Sequence, residues 1–209
     1  MKLGSVSENL NSEKRIAITP EIAKKYIELG FEVSINSKYG SHIGFDDNQY
    51  KEFGVKVIEN QNEIINNSDL MIQIHLLSDE KILNLRENQT LIGAFDPYNN
   101  KDRIENLIKK KINIFSLELL PRITRAQSMD ILSSQANLAG YKAVIESFAK
   151  FEKAIPMMMT AAGTISAAKV LVVGAGVAGL QAIATAKRMG AIVFATDVRM
   201  ASKEQVESL

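Results

Sequence analysis

The stretch Lys169–Arg199, KVLVVGAGVAGLQAIATAKRMGAIVFATDVR, leaves this chain fewer folding options than any other part of it. Lys169–Val173 is a short apolar run rich in β-branched residues, as a buried parallel strand requires. Gly174-Ala175-Gly176-Val177-Ala178-Gly179 follows, a complete G-x-G-x-x-G. From Leu180 to Met189 apolar residues recur at helical spacing, with Lys187 and Arg188 in the last turn and Gly190 where a C-terminal cap glycine belongs. Ile192–Thr196 reads as a second strand, and Asp197 stands at its end.

Each part of this strand–turn–helix–strand unit has a physical task. Gly174 permits the tight turn, Gly176 lets backbone approach a pyrophosphate, and Gly179 lets the helix lie close to the strand. The helix N-terminus, carrying Val177 and Ala178, offers unpaired N–H groups and a partial positive charge to phosphates. Asp197 is placed to accept both ribose hydroxyls of an adenosine. The expected cofactor-binding set therefore includes Gly174, Gly176, Val177, Ala178, Gly179, Asp197, Val198 and Arg199. A carboxylate at Asp197 repels a 2′-phosphate, which predicts NAD(H) rather than NADP(H). Arg199 argues mildly the other way, since an arginine there can receive that phosphate.

Composition narrows the function classes. Twenty-five basic and 24 acidic residues leave a formal net charge of +1. No basic stretch is interleaved with aromatics, so nucleic acid is not an expected partner. The chain has no cysteine. Disulfides and thiolate catalysis are therefore excluded, and a reducing cytoplasm is compatible. His42 and His75 are too few and too scattered to predict a metal site. Met1–Leu10 has no apolar core of the signal-peptide kind. Ile155–Ala168 is apolar but is too short to span a bilayer and contains Pro156 and Gly163.

Upstream, strand and helix patterns alternate. Thr19-Pro20-Glu21 starts a helix, with Thr19 as N-cap and Pro20 at the first helical position. That helix runs to Leu29, before Gly30. Phe31–Ile35, Val55–Ile58, Leu70–Leu76, Leu91–Phe95 and Ile112–Phe115 read as strands. Asp46–Phe53, Asp79–Leu85 and Lys101–Lys110 read as helices. This alternation predicts a parallel sheet covered on both faces. The expected fold is α/β: a doubly wound N-terminal domain over residues 1–125, a linker loop and long helix over 126–155, and an incomplete Rossmann dinucleotide-binding domain over 156–209. Met157, Met158 and Met159 read as core or hinge filler.

The segment PRITRAQSMDILSSQANLAGYKAV, Pro121–Val144, joined to GAGVAGL and ATDVR, resembles the α-subunit family of proton-translocating NAD(P) transhydrogenases, in its NAD(H)-binding first component. SEKRIAITPEIAKKYIELGFEV near the start resembles the same family and its relative alanine dehydrogenase. The resemblance implies that Arg122, Gln127 and Asp130 contact the nicotinamide and its ribose, with Ser133 and Tyr141 nearby. Gln127 can offer a carboxamide both a donor and an acceptor. Hydride transfer between two nicotinamides moves no proton, so positioning rather than acid–base chemistry is what the residues must supply. Asp130 also suits the cap of a helix starting at Ile131, and Ser133 and Tyr141 also suit plain packing.

The resemblance further implies partners: NADP(H)-binding and membrane components, and a second copy of the chain in a homodimer. Its implied location is the cytoplasmic side of the bacterial inner membrane. Alanine dehydrogenases use a lysine where this chain has Gln73, and a histidine in a loop that here reads Asp96-Pro97-Tyr98-Asn99-Asn100. Arg15 remains, but without those partners amino-acid dehydrogenation is disfavoured; His75 reads as structural. Members of the resembled family continue well past Leu209. A fragment, a decayed gene product, or a split subunit completed by a second polypeptide are each compatible with that. In all three cases the chain by itself is expected to bind NAD(H) weakly or not at all.

Overall fold

A computed structural model describes residues 1–209, which divide into two compact units, Met1–Met129 and Asp130–Leu209. The first unit carries strands β1 (Lys2–Ser5), β2 (Glu32–Asn36), β3 (Lys56–Ile58), β4 (Leu70–Ile72), β5 (Thr90–Gly93) and β6 (Asn113–Ser116). They form one sheet in the order β3-β2-β1-β4-β5-β6, and every pairing is parallel. Parallel neighbours need crossovers. Helices α1 (Pro20–Glu28), α2 (Asp47–Glu52), α3 (Gln61–Asn67), α4 (Asp79–Ile82) and α5 (Lys101–Lys109) supply them.

The pleat sorts the side chains into two cores. Leu3 and its register partner Leu70 join Val33, Ile35, Tyr39 and Tyr50 in one cluster. Met71, the register partner of Gly4, joins Val6, Ile64, Ile65, Leu91 and Leu107 in the other. Apolar packing on both faces is what makes the unit doubly wound. The strand order reverses between β1 and β4.

Local sequence explains the helix starts. Thr19 Oγ1 accepts the Ile22 N–H at 3.4 Å, and Pro20 occupies the first helical position. Asp46 Oδ1 accepts the N–H groups of Asn48 and Gln49, while Gln49 Oε1 accepts the Asp46 N–H, a reciprocal capping box.

One expectation in this unit is corrected. The strand expected over 70–76 ends at Ile72. Beyond it, Ile74 and His75 give their N–H groups to the Glu8 carboxylate at 2.7 and 3.3 Å. Gln73 turns inward, accepting the Val6 N–H at 2.7 Å and donating to the Val6 carbonyl at 3.0 Å. Two elements were also unanticipated, strand β1 and helix α3.

The second unit contains α6 (Ile131–Lys150), β7 (Met158–Thr160), β8 (Gly163–Ile165), β9 (Lys169–Val173), α7 (Val177–Arg188), β10 (Ile192–Thr196) and α8 (Ser202–Glu207). Strands β9 and β10 pair in parallel, from Lys169 opposite Ile192 to Val173 opposite Thr196, with α7 as their crossover. Helix α6 packs on α7. Val144, Ala182, Ala186 and Ala191 are buried between these helices and the sheet side chains Val170, Val172 and Val193. The other sheet face, with Leu171, Val173 and Phe194, is exposed.

Met157–Met159 are exposed, which corrects the expectation that they fill a core. Strands β7 and β8 form an antiparallel hairpin, and all six of its strand residues are exposed; Met159 is 84% exposed. No helix of the chain is long and apolar enough to cross a membrane.

Candidate functional site

The glycine-rich turn joins β9 to α7, and sterics decide its shape. Gly174 has φ 97°, a left-handed value that L side chains rarely adopt, and donates its N–H to the Thr196 carbonyl at 2.7 Å. A Cβ on Gly179 would lie 1.8 Å from the Gly174 carbonyl oxygen, so the helix could not sit this close to the strand with any other residue there. Gly176 is different. It is the N-cap of α7 in extended conformation, and a Cβ there would meet no protein atom within 4 Å. The space above Gly176 is thus open to a ligand rather than filled by the fold.

No side chain caps α7. The first N–H groups of a helix lack intrahelical acceptors, so those of Val177, Ala178 and Gly179 are available to an anion. From the opposite side, α6 presses on the same turn. Gly140, buried in mid-helix, approaches so closely that an added Cβ would stand 2.0 Å from the Ala178 carbonyl oxygen.

Asp197 is fastened to this turn. Its Oδ2 accepts the Ala175 N–H at 2.7 Å, and its Oδ1 accepts the Arg199 N–H at 2.8 Å. The Arg199 guanidinium adds Nε to Oδ1 at 3.0 Å and Nη2 to Oδ2 at 3.1 Å. The guanidinium, then the two backbone donors, hold the Asp197 carboxyl well below the usual carboxylate range. Val198, between them, is fully exposed.

The residues expected at the nicotinamide end fall in both units. Arg122 and Gln127 are exposed in the first, with Gln127 in a 3-10 turn, Thr124–Met129, anchored by buried Ala126. Asp130 is the N-cap of α6: Oδ1 accepts the Ser133 N–H at 2.9 Å and Oδ2 the Ser133 hydroxyl at 2.6 Å. Asp130 and Ser133 are therefore brought together by helix capping. Tyr141 is about half exposed on α6, next to Gly140.

Arg15, near the start of the chain, pairs with Glu13. Its Nε and Nη2 take the two oxygens of Glu13 at 2.8 and 2.5 Å, and His75 Nε2 meets the same carboxylate at 2.9 Å.

Two contributors escaped the sequence reading. Ala175 supplies the amide that fixes Asp197, and its small side chain carries no signal. Gly140 did carry one, an isolated glycine inside a helical pattern, which marks a place where something approaches closely. The turn offers unpaired amides suited to a phosphate, with the Asp197 carboxylate beside them. It presents no acid–base pair.

The family model for the alanine dehydrogenase/PNT N-terminal domain matches residues 4–139, and that for the C-terminal domain matches 143–209. An NAD(P) transhydrogenase subunit alpha polypeptide of Rickettsia prowazekii is 47% identical over 213 residues, covering 100% of this chain and 56% of the relative. The chain thus spans about half the length of the curated relatives it matches. The crystal structure of transhydrogenase from Sinorhizobium meliloti superposes with a TM-score of 0.94 at 45% identity, covering 100% of this chain and 62% of that one. An L-alanine dehydrogenase structure superposes at 0.84 with 21% identity, covering 100% and 58%, which establishes a shared fold.

Proposed function

The chain belongs to the alanine dehydrogenase/PNT family, and from that premise we propose that it forms the NAD(H)-binding part of a proton-translocating NAD(P) transhydrogenase. The observation carrying this reading is Asp197 fixed by the Ala175 N–H to a glycine turn with open space at Gly176. The α7 N-terminus would take the pyrophosphate, and Asp197 the adenosine ribose. The acid at this position favours NAD(H) over NADP(H).

When bound, the nicotinamide supplies the hydride that passes to or from NADP(H) on a partner component. The chain's own task is to orient. Gln127 offers a donor and an acceptor to the carboxamide. Arg122, Asp130, Ser133 and Tyr141 complete the nicotinamide end. Asp130 keeps the start of α6 ordered through Ser133 while doing so. Gln73, locked on both polar groups of Val6, has no side-chain atom to spare for an oxo-acid, which weighs against alanine dehydrogenation.

In the same reading the chain works on the cytoplasmic face of the bacterial inner membrane, attached to a membrane component. It pairs as a homodimer, and the exposed methionines of the β7–β8 hairpin support such a contact. Calorimetric titration of NADH, taken to millimolar concentration, tests the cofactor assignment. Binding weakened about tenfold or more in Asp197→Ala, with NADPH the poorer ligand, is expected. Indifference to NADH in the chain extended to the full length of its relatives, or an unchanged affinity in the variant, would sink it.

A further inference from the structure

The Asp197 carboxylate has no acceptor site left. Two carboxylate oxygens offer about four lone-pair positions. Here Oδ1 accepts the Arg199 N–H and Nε, and Oδ2 accepts the Ala175 N–H and Arg199 Nη2. The two backbone donors are part of the turn and cannot leave without breaking it. The two guanidinium bonds are different in kind. The Arg199 side chain is 61% exposed while Asp197 is 10% exposed, and no other side-chain hydrogen bond or ion pair holds the guanidinium. Displacing it frees two acceptor positions, the number that a 2′,3′-diol needs.

We propose that Arg199 is a specificity-determining residue: its guanidinium occupies the ribose seats on Asp197, swings out for a 2′,3′-diol, and receives a 2′-phosphate when one is present. This rests on the dinucleotide reading of the turn. A diol competes directly with the guanidinium for the same two positions, so the ion pair lowers affinity for 2′-hydroxyl nucleotides. A 2′-phosphate cannot take those positions, because like charge opposes it. It can take the guanidinium itself, whose planar donors match phosphate oxygens in pairs. One residue thus weakens the preference for NAD(H) that Asp197 sets. The surface around the pair has room for the swing: Ala195, Thr196, Asp197, Arg199, Met200 and Ser202 help to line one open depression beside α8.

The test uses the chain extended to the full length of its relatives and two probes, 5′-AMP and adenosine 2′,5′-bisphosphate, titrated by NMR on the backbone amides of Gly176–Gly179. Arg199→Gln is expected to bind 5′-AMP about threefold tighter, the scale of an exposed ion pair removed. It is expected to bind the bisphosphate about tenfold weaker, the scale of a lost charge-assisted contact. Arg199→Lys, which keeps charge without the planar fork, should fall between wild type and Arg199→Gln for the bisphosphate. An affinity ratio for the two probes that is the same in wild type and Arg199→Gln overturns the inference, even though 5′-AMP binds. Failure of 5′-AMP to move these amides in any of the folded proteins overturns instead the dinucleotide reading on which it stands.

Discussion

Gly140 on α6 and Ala178 on the glycine-rich turn are so close that no side chain fits between them: an added Cβ would stand 2.0 Å from the Ala178 carbonyl oxygen. In an ordinary exposed helix interior, glycine to alanine gains about 1 kcal/mol. Here the sign reverses, because the obstacle is backbone and cannot rotate away. Gly140→Ala should destabilise the second unit by about 1–3 kcal/mol, as overpacking does. Chemical denaturation followed by a reporter in that unit checks this. A stabilised variant would mean that α6 does not press on the turn.

Much of this unit was legible in advance because local and tertiary demands agree there. β-branched strands, turn glycines and a terminal acid all specify β9–α7–β10. The closeness of Gly140 was not legible, since nothing in a single sequence says which helix packs on which turn. Strand β1 was missed for another reason. Lys-Leu-Gly-Ser carries little β signal, and Gly4 is there because a Cβ would meet Ser68 Oγ at 2.2 Å. The hairpin of Met158–Thr160 and Gly163–Ile165 was misread because exposed methionine looks in sequence like buried methionine.

Asp197 should hold the turn across a wide pH range. A depressed carboxyl contributes its ionic bonds fully above its ordinary pKa and loses them only as pH falls through the lowered folded value. The Ala175 amide resonance should therefore stay put from neutral pH to about pH 4, the ordinary aspartate range. It should move only in stronger acid, whereas in Asp197→Asn it should be displaced at every pH. A midpoint near pH 4 in the wild type would show that the ion pair is not formed in solution.

Glu13 ties the first unit together at the edge of its switch point. Arg15 holds its carboxyl down at about 2, with the Arg15 backbone and His75 helping. Glu8 runs the other way: burial raises its carboxyl, partly offset by the Ile74 and His75 N–H groups. The signs therefore oppose. The contribution of Glu13 is present above about pH 4.5 and is lost as pH falls towards 2, while that of Glu8 is largest at low pH and fades as pH rises through its raised value. Replacing Glu13 with Gln should cost about 1 kcal/mol at neutral pH, since Arg15 is half exposed. That cost should shrink as both proteins are taken to low pH in urea melts.

Gln73 closes the gap between the ends of β1 and β4 by accepting from and donating to the same residue, Val6. Gln73→Leu keeps much of the volume but leaves a buried N–H and a buried carbonyl unpaired. A loss of about 2–4 kcal/mol is expected, read as a lower denaturant midpoint at unchanged slope. Gln73→Lys should also destabilise, because an ammonium can donate to the Val6 carbonyl but cannot accept the Val6 N–H.

The hairpin offers a test that separates association from folding. Met159 is 84% exposed on β7, and its register partner Thr164 is exposed as well. A charge placed there disturbs no core of the single chain, so Met159→Glu should leave the unfolding free energy of a dilute sample within about 0.5 kcal/mol of wild type. At a contact between two copies the same charge is desolvated without a partner, at a cost of several kcal/mol. Light scattering after size exclusion should then find a dimer in the wild type and a monomer in Met159→Glu. A dimer that survives the substitution would move the pairing surface away from β7–β8, and a wild type that is monomeric at every concentration would remove the homodimer from the proposal.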